Sequence, residues 1–72
     1  MHDHRPFDPP TPAWVRVRGT KRSPDMAHEA LIHAWAKDEW YGEIVWVALV
    51  TTERRPEPWW TAQHNVRPRD ED

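Results

Sequence analysis

The sequence predicts a mainly β fold, a small antiparallel domain in which short strands wrap one core. Three observations carry this. The run "EIVWVALV" at Glu43–Val50 joins β-branched, aliphatic and aromatic side chains with no polar break, as a buried strand does. "AWVRVR" at Ala13–Arg18 alternates apolar and cationic residues with the two-residue period of a half-buried strand. "WWTAQHNVRP" reads as a short strand at Trp59–Thr61, a tight turn at Ala62–Asn65 and a closing segment at Val66–Pro68. The alternative is an α+β arrangement, with one helix at about residues 24–40 packed on a small antiparallel sheet.

Taken in order, residues 1–12 hold four prolines and no periodicity, so a disordered, Pro-rich arm is expected there. A single globular domain follows over residues 13–68. In its first strand Val15 and Val17 point inward and Arg16 and Arg18 outward. The loop "GTKRSPD" is punctuated by Gly19 and Pro24. Residues 24–40 carry two patterns. As a helix, Ser23 caps, Pro24 takes the first helical position, and Met26, Ala27, Ala30, Leu31, Ala34 and Trp35 form a stripe. As strands, Ala30–Ala36 and Trp40–Thr51 form a hairpin turning at "KDE". Local propensity favours the helix, because Ala, Glu, Leu and Lys dominate. The chain then loops through "TTERRPEP", and residues 69–72 form an acidic tail.

The closing residues Trp59, Trp60, Ala62, Val66 and Pro68 resemble the last strands of SH3-like small barrels, including the C-terminal barrel of retroelement integrases. In those barrels one turn of 3-10 helix joins the final two strands, and first and last strands lie side by side. The resemblance therefore implies a barrel over residues 13–68. It also implies a groove lined by aromatic residues, of the kind SH3-like proteins use for peptides.

The strand Glu43–Val50 poses a question of cover. Ile44, Trp46, Ala48 and Val50 share one face; Val45, Val47 and Leu49 share the other. A strand apolar on both faces needs cover on both. The first face has the stronger claim to the domain's own core. The second is bracketed by Tyr41, Glu43 and Thr51, the pattern of an apolar patch with a wetter rim.

Size and composition narrow the field further. A chain of 72 residues is near the lower limit for folding alone, and zero cysteines exclude disulfide reinforcement. Six tryptophans offset this, each able to remove about 150–250 Å² from water. Trp14, Trp35, Trp46 and Trp59 are the expected core members. The chain has no apolar run long enough to span a bilayer and no hydrophobic leader, so a soluble, cytoplasmic protein is expected. The excess of Arg over Lys, with many Ala, Pro and Trp, matches the composition of GC-rich bacterial or phage genomes.

Catalytic signatures are missing. His28 and His33 are five residues apart, about 140° of rotation on a helix and opposite faces on a strand, so they cannot share a metal ion. Ser23 precedes a proline in a cap or turn, and Asp38 and Glu39 diverge in any regular structure. Gly19 and Gly42 are too isolated to cradle a phosphate. No enzyme, metal or cofactor is expected, nor a small-molecule substrate or a membrane.

What remains is recognition. The expected function is a non-catalytic binding or regulatory module acting on another protein or a second copy of itself. Val45, Val47, Leu49, Trp40, Tyr41 and Trp60 are its candidate contact residues. The alternative is nucleic-acid binding. The net charge of −2 hides a basic flank of Arg16, Arg18, Lys21 and Arg22, which the barrel sets beside Arg67 and Arg69.

Overall fold

The computed structural model describes residues 1–69, so the acidic end expected after Arg69 lies outside the described residues. Five strands follow one another: β1 (His2–Val17), β2 (Met26–Trp40), β3 (Glu43–Thr52), β4 (Trp59–Ala62) and β5 (Val66–Pro68). A single 3-10 turn, Gln63–Asn65, links β4 to β5. The strands form one antiparallel sheet in the order β4-β3-β2-β1-β5, curled into a half-barrel, with no α-helix among the described residues. Sequence and structure agree on the mainly β class and, within a residue, on the closing strand–turn–strand.

The segment that reads as either helix or strand is β2. It is the central strand, laddered to β1 on one side and β3 on the other. Two ladders outweigh a difference in propensity worth a few tenths of a kcal/mol per residue. The residues resembling a helix start build a turn instead. Thr20 and Ser23 exchange backbone hydrogen bonds of 2.8 and 3.3 Å, and the Gly19 N–H donates to Asp25 Oδ1 at 2.7 Å. A Cβ on Gly19 would run into the Ser23 carbonyl oxygen, which explains a glycine there.

The β2–β3 hairpin turns three to four residues later than the sequence indicates, at Tyr41–Gly42 between the paired Trp40 and Glu43. Both turn residues have positive φ, 52° at Tyr41 and 81° at Gly42. That is the signature of a type I′ turn, whose twist matches the flanking strands. Gly42 adopts it freely; Tyr41 does so against its side chain.

The structure also corrects the reading of residues 1–12. Far from standing apart, His2–Pro12 belong to β1 and ladder along β2 as far as Lys37. The pairing jumps from Pro6↔Ala34 to Thr11↔Ile32, so Phe7–Pro10 bulge where Pro9 and Pro10 have no N–H to give. Phe7, inside that bulge, packs against the core.

The core comprises Ala13 and Val15 of β1, Ala30 and Ile32 of β2, and Ala48 and Val50 of β3, with Phe7, Trp35, Trp59 and Val66 packed against it. Small residues in the centre let the strands curl, and larger rings close the rim. At Ile32–Ala34 the register slips by one residue against Val50–Leu49, so His33 is bulged. Beyond the bulge Ala34 and Ala36 sit opposite Leu49 and Val47, on the face away from Ala48 and Val50. Both faces of β3 are therefore covered at mid-strand: Val47 and Ala48 are each 0% exposed. Toward the hairpin the cover thins, and Ile44 is 57% exposed. Val17, expected inside, is exposed at the end of β1.

Candidate functional site

Two surfaces gather the candidate residues. The first lies along the hairpin half of β3. Strand β4 pairs only with Val47–Val50, leaving Glu43–Trp46 bonded to β2 on one side and to no strand of the described residues on the other. Beside this free edge lies a cleft of about 580 Å³, lined by Trp40, Ile44, Val45, Trp46, Gln63 and His64 among others. A second cleft, about 290 Å³, holds Arg5, Phe7, Trp35, Trp46 and Gln63. Trp46 and Gln63 line both, so the two clefts adjoin at Trp46.

Electrostatics differ at the two ends of this groove. The Arg5 guanidinium and the Lys37 ammonium lie 5.2 and 5.1 Å from the centre of the Trp46 ring, within cation–π range. Lys37 also holds Asp3 at 3.1 Å, and that hydrogen bond, with the ammonium charge, keeps the Asp3 carboxyl below its ordinary range. At the hairpin end, Asp38 accepts from the Trp40 indole N–H and from the Glu39 amide, both at 3.0 Å. The indole bond is the larger cause of its lowered pKa, the amide bond the next. Asp38 thereby fixes the orientation of Trp40. Glu39 and Glu43 complete an acidic tip.

The candidate contact residues fare unequally. Trp40 and Val45 line the groove, half-buried, and Tyr41 stands fully exposed at the turn. Val47 is buried within the chain, between Ala36 and Ala62, and offers no surface. Leu49 and Trp60 pair across β3 and β4, and the Trp60 ring meets His4 edge to face at 6.1 Å, so both are partly covered by their own chain. The basic end was missed, because nothing in "MHDHRPF" indicates that Arg5 and Phe7 return to β2.

The second surface is the arginine flank. β1 and β5 lie side by side, pairing Trp14 with Arg67. Trp14, Arg16, Arg67, Met26, Ala27 and His64 line a cleft of about 490 Å³. Trp14 is thus a half-buried wall and not part of the core. Arg16 faces Asp25 at 3.6 Å and Arg69 faces Glu29 at 3.4 Å, so two of the six cations are offset locally. Arg18, Lys21 and Arg22 are exposed on the adjoining loop.

Among the described residues no three His, Asp or Glu side chains come together to hold a metal ion, and no helix is long and apolar enough to cross a membrane. No family model, curated protein or solved structure matches the chain.

Proposed function

We propose that this chain is a non-catalytic binding module, SH3-like in plan, that takes an extended segment of another protein as an added strand on β3. The observation supporting this reading is the free edge at Glu43–Trp46. The outward N–H and C=O groups there meet no strand of the described residues and form a template for a further one, and natural sheets usually blunt such edges. The far side of the sheet shows such blunting: beyond its pairing with β5, β1 carries Pro6, Pro9, Pro10 and Pro12. No proline lies between Glu43 and Trp46, and the nearby side chains are large and apolar. The plan agrees with the SH3-like resemblance in two features, the pairing of β1 with β5 and the single 3-10 turn between β4 and β5.

Random decapeptides displayed and selected on the intact chain test this reading. Enriched peptides should alternate apolar residues, and Ile44→Lys should abolish their binding without altering the melting curve, because Ile44 is exposed and a charged edge resists pairing. Binding untouched by Ile44→Lys contradicts the edge. A dimer on a sizing column that Ile44→Lys dissolves would make a second copy the occupant.

The pairing of Trp14 with Arg67, beside Arg16, favours a second reading, nucleic-acid contact through the arginine flank. Affinity for generic duplex DNA should then fall steeply with salt and vanish in the double variant Arg16→Glu with Arg67→Glu. Weak, salt-insensitive binding would set it aside.

A further inference from the structure

We propose that the segment taken up by β3 is acidic where it passes Trp46, and that Arg5 reads its carboxylate. This rests on the strand-addition reading and specifies the partner's chemistry. Among the described residues no carboxylate forms a salt bridge with Arg5: Asp3, the nearest acid along its strand, is hydrogen bonded to Lys37, and the Arg5 charge acts on it only as a minor influence. Its guanidinium lies over Trp46 in a cleft walled by Phe7 and Trp35, with planar donors that no carboxylate of the described residues engages in a salt bridge. Guanidinium held against a ring is a preorganised donor for a carboxylate, because little side-chain freedom is left to lose on binding. Lys37, the other cation on the same ring, is offset by Asp3, which leaves Arg5 as the charge that faces the groove.

The groove gives the carboxylate a direction. A strand added to Glu43–Trp46 passes from the acidic tip, at Glu39 and Glu43, to the basic end at Arg5 and Lys37. Three residues of strand separate Glu43 from Trp46, about 10 Å. The complementary segment therefore carries its acid opposite Trp46 and a neutral or basic residue three or four positions away. Like-charge contact at either end disfavours the reverse order.

The peptide selection described above, repeated on Arg5→Glu and Arg5→Gln, decides the matter. Peptides enriched on the native chain should share an Asp or Glu at one position, with Lys or Arg three or four residues off. One of them, synthesised, should bind Arg5→Gln about tenfold more weakly or worse. On Arg5→Glu the acidic preference should disappear or invert, while apolar alternation persists. Should Arg5→Glu fail to fold, Arg5→Gln alone carries the comparison, with circular dichroism as its control. Enrichment with no acidic position, or the same acidic preference on Arg5→Glu, overturns the proposal and leaves strand addition standing. No enrichment on any form overturns both.

Discussion

Tyr41 holds a left-handed backbone conformation, φ 52°, with its ring wholly in solvent. An L-residue pays roughly 1 kcal/mol or more for that conformation, and asparagine tolerates it better. Tyr41→Asn should therefore raise stability by about 0.5–1 kcal/mol, read as a melting point several degrees higher. If the tyrosine is kept for contact, the same variant should lose affinity for selected peptides; unchanged affinity would remove Tyr41 from the site. Val47 is the opposite case. The sequence places it on a partner-facing side, yet it is fully buried between Ala36 and Ala62. Val47→Lys buries an unpaired cation, a cost of several kcal/mol that a domain this small cannot absorb. Circular dichroism should show an unfolded chain at 25 °C; a folded Val47→Lys would mean that this face is open.

At the scale of elements, legibility followed how local each signal was. The β4–turn–β5 ending was readable because its turn is built from neighbours. β2 was readable only as a choice, since Ala30, Ile32, Ala34 and Ala36 fit a strand while Ala27, Ala30, Leu31 and Ala34 fit a helix. Pairing with two neighbours decided it, and the bulge at His33 then exchanged the faces without any trace in the residue pattern. The arm was illegible for a physical reason: prolines suggest disorder when their ladder partners are unknown. Here Pro9 and Pro10 fall in a bulge and leave the rest free to pair. Deleting residues 1–11 removes Phe7 from the core rim, the Asp3–Lys37 bond and the ladder to Trp35 and Lys37. A loss of about 2 kcal/mol is expected from the phenyl ring alone, so the melting point should drop by on the order of 10 °C. A truncated chain that melts with the native one would show that β1 begins in earnest only at Ala13.

The whole molecule is a curled sheet whose two edges are treated differently. One runs along the prolines of β1 and is capped by β5; the other is paired with β4 over Val47–Val50 and, from Glu43 to Trp46, with no strand of the described residues, the 3-10 turn lying alongside. Part of the candidate site was visible in the sequence as Trp40, Tyr41 and Val45. Its basic end was not, because Arg5 and Trp46 are brought together only by the order β3-β2-β1. The central claim is that an extended peptide pairs with the bare edge. Amide hydrogen exchange on the chain with and without a selected peptide tests it most directly. Strand addition predicts new protection at outward-facing amides within Glu43–Trp46, with little change at Trp14–Val17 or Arg67. Protection confined to the arginine flank, or peptide binding with no slowing anywhere along Glu43–Trp46, would contradict it.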